Sequence, residues 1–244
     1  MLATAAAYDG CAIASTLHTI PRVNAVGPAS AEDMISLYRD QMVAAKSPGR
    51  AAYDLIKAAS PNDKCPLCGV GVVRTLDHHL PKSKYPDLSI CPRNLVPACD
   101  FCQTGKLSKH PSNASEQTLH PYYDDFSAEQ WIHGTLSTIG NPVVQFHVAA
   151  PAHWPPIDRE RVKRHFDVVK LATVYSSNAN DDLSAMREYL VTLGARGGGA
   201  AVLAHLDGER GRWRSRLNSW QHVMYQTISC NAWFCNGGYV QIPV

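Results

Sequence analysis

Two Cys-x-x-Cys pairs, "CPLC" at 65–68 and "CDFC" at 99–102, stand thirty residues apart, and this pattern limits the possible folds more than any other feature of the chain. Paired knuckles of this kind read as a four-thiolate structural zinc site in a reducing compartment. With every coordination position taken by a thiolate, such a zinc staples the fold and does no chemistry. The spacer is longer than that of a simple zinc ribbon, so further structure must be built between the knuckles. A disulfide framework is disfavoured. At 244 residues the chain is too large to need one, and "MLATAAAYDGCAIASTL" lacks the basic start of a secretory signal and carries Asp9 early. Cys11, Cys91, Cys230 and Cys235 read as free thiols, since no further Cys or His pair lies near the last two.

The pattern along the chain predicts an α+β fold: a small zinc-stapled module set in a mainly α-helical chain. An N-terminal helical region covers 1–60. Its first 30 residues look irregular, a helix over 30–46 takes Ser30 as N-cap, and a second over 47–60 opens at Pro48 and closes before Pro61. The cysteine module covers 61–126, with a short strand pair in 71–80, loop through "KSKYPDLSICPRN", and a helix opening at the second knuckle. The region 127–244 is mainly helical. There a capping-box-like S-x-x-Q opens 127–139, a strand covers 142–150, and amphipathic helices cover 158–175 and 180–193. The glycine run 194–199 is a break before a last helical stretch at about 200–228. No apolar run approaches the roughly 18 to 20 residues of a membrane span, so a cytoplasmic protein without membrane contact is expected. Formal charge is only +2, so any nucleic-acid role must rest on local patches.

Between the knuckles stand Asp77-His78-His79-Leu80-Pro81, then Asn94-Leu95-Val96-Pro97, and the second knuckle continues as Gln103-Thr104-Gly105-Lys106. Adjacent residues of a strand face opposite ways, so Asp77 and His78 suit different tasks. An imidazole serves as a base at neutral pH, and a carboxylate suits a hard divalent ion. In order and spacing these pieces resemble the HNH endonuclease family, whose ββα-metal module runs C-x-x-C, D-H-x-x-P, N-L, C-x-x-C, then Asn or His and a Lys. The resemblance covers about 45 residues, or up to 60 with "LHPYYDDF" at 119–126. It implies that His78 is the general base, that Asp77 binds a catalytic Mg²⁺ or other divalent ion, and that Asn94 fixes the loop that orients the base. It further implies structural Zn²⁺ on Cys65, Cys68, Cys99 and Cys102.

Gln103 departs from the family pattern. The residue after the last cysteine is usually His or Asn and helps to bind the metal; Gln keeps the amide oxygen but moves it by roughly a bond length, against distances that matter to about 0.2 Å. His110 and His120 are candidate substitutes. His79 lies where the family motif is not fixed and reads as an ordinary loop histidine in preference to a phosphate contact. Lys82, Lys84, Arg93, Lys106 and Lys109 suit phosphate contact, with Lys106 favoured by the resemblance, although each alone also fits a solvated loop. "RGRWRSR" at 210–216 and "DRERVKRH" at 158–165 read as solvated helix surface. The expectation is a metal-dependent endonuclease acting on double-stranded DNA, with restriction or phage defence as the analogous setting and room for a protein partner. Its rivals are an inactive zinc-stabilised nucleic-acid-binding module and an interaction scaffold that works through the helices beyond 127.

Overall fold

The computed structural model describes residues 2–106 and 108–243. The chain divides into two compact units, one from residues 1–125 and 155–170, the other from 126–154 and 171–244.

The first unit opens with helix α1 (Leu2–Ile13), where an irregular segment was expected. Its alanine-rich sequence has high intrinsic helicity, and Tyr8 and Ala12, four residues apart on one face, bury fully against Leu17, Leu80 and Leu88. A minimal ribbon of β1 (Ala25–Val26) and β2 (Ala29–Ser30) leads into α2 (Ala31–Tyr38). Ser30 caps α2 as expected, accepting from the Asp33 N–H while its own N–H donates to the Asp33 carboxylate at 2.8 Å. The helix stops short of residue 46 because its last turn widens into a π turn over Arg39–Val43. Residues 47–49 form a turn, so α3 spans Arg50–Ala58 only.

Strand β3 (Thr75–His78) pairs antiparallel with β4 (Leu95–Ala98), with Asp77 opposite Val96 and His78 opposite Leu95. The pair expected within 71–80 is therefore replaced by a long-range one, and the intervening loop carries Leu80 to Asn94. Both strands are almost wholly buried. Leu76 and Leu95 pack with Tyr38, Met42 and Tyr53, and by alternation His78 shares the Leu76 face, its ring 4.5 Å from that of Tyr38. Helix α4 (Asp100–Lys106) follows the second knuckle. Helix α5 (Pro156–Val168) completes the unit after an excursion of the chain. It is not the solvated surface expected. Arg161 is buried and forms a bidentate pair with the Asp124 carboxylate, and the His165 Nε2–H donates to the Leu67 carbonyl at 2.8 Å. Val162 and Phe166 share this stripe, so the buried side of α5 carries Arg161 and His165 among apolar residues.

In the second unit, β5 (Ile132–Ser137) and β6 (Val143–Val148) form a hairpin. The helical start expected at 127–139 gives way to a strand because residues 132–137 pair with 143–148, with the buried Ile132 opposite Val148. Asn218 fixes the entry: its amide oxygen accepts from the Trp131 and Ile132 N–H groups, and its amide nitrogen donates to the Phe126 and Glu129 carbonyls. Helix α6 runs over Leu171–Arg212, interrupted at Gly198, whose φ of 62° and ψ of −162° no helix accommodates. The break expected across 194–199 is thus confined to one glycine, and 176–179 is helical. Helices α7 (Trp220–Ser229) and α8 (Ala232–Cys235), capped by Ser219 and Asn231, close the unit. No helix among the described residues is long and apolar enough to cross a membrane.

Candidate metal centre and active-site cleft

The ligand atoms of Cys65, Cys68, Cys99 and Cys102 all lie within 4.8 Å of one another, and all four residues are buried. Sulfurs around a tetrahedral zinc at ~2.3 Å stand about 3.8 Å apart; the Cys68 and Cys99 Sγ atoms are 3.9 Å apart. Local chemistry holds the first knuckle in shape. The Gly69 N–H donates to the Cys65 carbonyl at a left-handed φ of 69°, and the Gly71 N–H donates to Cys68 Sγ. A side chain at residue 71 would meet the Cys99 Cβ and Sγ at 2.7 Å, so only glycine lets the two knuckles converge. The thiols cannot ionise together without a cation. Hydrogen bonds with Cys65, then Cys68 and Cys99, hold the Cys102 thiol far above its usual range, whereas those with Cys102, Cys65 and Cys99 pull Cys68 far below it. The four residues fit a metal ion such as zinc.

Beside this centre, Asp77, His78, Pro81, Lys82, Gln103 and Thr104 line one cleft. The His78 Nε2 lies 2.8 Å from the Ser89 carbonyl, which only accepts, so Nε2 carries the proton and Nδ1 is left as the basic nitrogen. Burial pushes the His78 pKa down to about 3, so the ring is neutral at physiological pH. Asp77 accepts from the Lys106 ammonium at 2.8 Å, with both side chains buried, and Lys106 also donates to the His78 carbonyl.

Asn94 is fully buried and uses its whole amide. Its Oδ1 accepts from the Leu80 N–H at 2.7 Å and the Tyr8 hydroxyl at 3.1 Å, and its Nδ2 donates to the Leu80 and Leu88 carbonyls. One side chain thus ties together the two ends of the loop that leads to Ser89. Asn94→Ala is expected to cost about 2–4 kcal/mol in urea unfolding, since several buried groups lose their partner at once; a loss under about 1 kcal/mol would show that the amide does not hold the loop.

The other predicted residues divide clearly. His79 is buried, its ring 4.1 Å from that of His120. The His120 Nδ1 accepts from the Tyr122 N–H, so its Nε2–H faces the Tyr8 hydroxyl at 3.1 Å. His110 contacts Arg22 and Tyr85 and lines a separate pocket with Lys109, Glu116 and Arg164. Neither His110 nor His120 lines the cleft that holds Asp77 and Gln103. Lys82 lies 5.1 Å over the Tyr38 ring at the cleft wall. Lys84, Arg93 and Lys109 are exposed, with Arg93 3.9 Å from Asp9. Lys106 is not on the surface; its charge is spent on Asp77. Neither Tyr8 nor Ser89 was expected at this site. The only sign of Tyr8 was its place in an alanine-rich stretch, and the Ser89 contribution is a backbone carbonyl that leaves no sequence trace.

Over 232 residues the chain is 29% identical to protein ea31 of Escherichia phage lambda, an alignment covering 89% of this chain and 78% of that protein. No protein-family model and no solved structure matches the chain.

Proposed function

We propose that this protein is a metal-dependent endonuclease of the HNH type that hydrolyses phosphodiester bonds of double-stranded DNA. The observation that carries the reading is the state of His78: neutral, held by its Nε2–H, and sharing a cleft with a carboxylate. In this reading Nδ1 takes a proton from water, the hydroxide oxygen bonds to phosphorus, and the bond to the leaving sugar oxygen breaks with that oxygen protonated from solvent. Asp77 and Gln103 offer the oxygen ligands that a hard divalent ion takes, and such an ion, when bound, supplies positive charge for the developing phosphorane. The low basicity of His78 is offset as DNA enters, because a phosphate anion nearby raises an imidazole pKa. Lys82 in the cleft wall, with the exposed Lys84, Lys109 and Arg93, provides positive charge for the backbone.

The test is cleavage of supercoiled plasmid with Mg²⁺, Mn²⁺, Ni²⁺ or EDTA, run beside His78→Ala. Metal-dependent cutting is expected, slowed by about 10²–10⁴-fold in the variant. Equal cutting by the variant would remove His78 as the base. One observation favours a second reading, a zinc-stabilised module that binds nucleic acid without cutting it: Lys106 already neutralises Asp77. Salt-dependent binding of duplex DNA, with no cutting under any of these metals, would establish that reading instead.

A further inference from the structure

Asn94 Oδ1 receives two donors. One, the Leu80 N–H, belongs to the loop it clamps; the other comes from α1, far from the cysteine module in sequence. Tyr8 is fully buried, and among the described residues its hydroxyl meets two partners, Asn94 Oδ1 and His120 Nε2, each at 3.1 Å. The Tyr122 N–H points to His120 Nδ1, which assigns the ring proton to Nε2; Nε2–H then faces the Tyr8 oxygen, and the Tyr8 O–H donates to Asn94. A directed chain therefore runs from His120 through Tyr8 to Asn94, and through the Asn94 amide to Leu80 and Leu88. The next residue, Ser89, supplies the carbonyl that fixes the His78 Nε2–H. The loop is held from a second side as well, where the Ser89 hydroxyl donates to the Met34 carbonyl at 2.9 Å.

We propose that Tyr8 is a positioning residue for His78, acting through the Asn94 amide to hold the Ser89 carbonyl where it selects the Nε2–H tautomer. This deepens the nuclease reading and rests on it for its catalytic meaning, though the tautomer is a property of the folded chain alone. A buried phenol in a purely packing role needs no hydroxyl, and a phenylalanine would fill the same space. The hydroxyl instead completes the one amide whose orientation decides the loop: two donors converging on one atom identify it as oxygen and leave the nitrogen for Leu80 and Leu88. Without the Tyr8 hydroxyl, Oδ1 loses one of its two donors, so both amide orientations come closer in energy.

The experiment uses the full chain with Tyr8→Phe, which keeps the ring. Long-range ¹H–¹⁵N NMR of the histidine side chains, with the His78 signals assigned by their loss in His78→Ala, reads which nitrogen carries the proton. Wild type is expected to show His78 as a single Nε2–H tautomer, and Tyr8→Phe a mixture of tautomers. Turnover on DNA is expected to fall by about tenfold, the rate equivalent of one hydrogen bond, with KM unchanged. In combination with Asn94→Ala, the Tyr8→Phe loss is expected to vanish, because residues that act in series do not add. His120→Gln, which keeps a donor near Nε2, is expected to retain the wild-type tautomer; it tests the same chain should Tyr8→Phe not fold. A single Nε2–H tautomer in folded Tyr8→Phe, or full additivity with Asn94→Ala, overturns the proposal. A tautomer mixture in Tyr8→Phe in a chain that cuts no DNA supports the positioning role while refuting the nuclease reading.

Discussion

Cys102→Ser is expected to bind no stoichiometric zinc and to lose the fold of the first unit. The four sulfurs join the first knuckle to the start of α4, where the other ties are an exposed Arg74–Asp100 ion pair and the strands between them, a sheet of just two, which does not stand alone in water. Structural zinc contributes about 10–16 kcal/mol of apparent binding free energy in small domains, against a total stability of about 5–15 kcal/mol. Losing one ligand of four is therefore enough to unfold the unit. Metal analysis of the purified protein and far-UV circular dichroism check this, with one zinc per chain expected for wild type. Cys230→Ser is the control: Cys230 is exposed and outside the cluster, so metal content and melting should not change. Wild-type metal content in Cys102→Ser would show that the fourth sulfur is not a ligand.

Lys106→Met should lower stability by about 3–5 kcal/mol, the usual cost of leaving one charge of a buried pair alone. Lys106 and Asp77 are 2.8 Å apart with side chains 5% and 11% exposed, so water replaces the missing ammonium only in part. Combination with Asp77→Asn should recover much of this loss, because removing both charges leaves neither unpaired. The same variant measures the ligand role of Asp77. If Asp77 holds a divalent ion, Mn²⁺ should raise the melting temperature of Lys106→Met more than that of wild type, since the ion takes over the compensation. An Mn²⁺ effect no larger than in wild type would remove Asp77 from the ligand set.

The parts of this molecule legible in its sequence are those written in short-range spacing. The cysteine pairs announced their cluster, Ser30 announced its N-cap, and the adjacency of Asp77 and His78 placed both at the end of one strand. Polar contacts across long separations leave no such period. Tyr8 reaches Asn94 over 86 residues, Arg161 pairs with Asp124 over 37, and neither partner carries a local mark of the other. A lysine also reads alike whether it faces a phosphate or a buried carboxylate, which is why Lys106 was expected on the surface. In 127–139 a local signal misled. The S-x-x-Q match suggested a helix start, but cross-strand pairing of Ile132 with Val148 decided the conformation, as tertiary context commonly does.

The return of α5 to the first unit sets an order of events on the ribosome. When residue 126 leaves the exit tunnel, all four cysteines and the Asp77–His78 strand have already been made. The Asp124 carboxylate then has no Arg161 to meet, and the Leu67 carbonyl has no His165. Only after synthesis of the β5–β6 hairpin and most of α5 do these two side chains emerge to meet Asp124 and the knuckle. Metal capture can thus precede closure, and a nascent chain that has not yet acquired α5 carries a first knuckle whose Leu67 carbonyl still lacks its His165 donor.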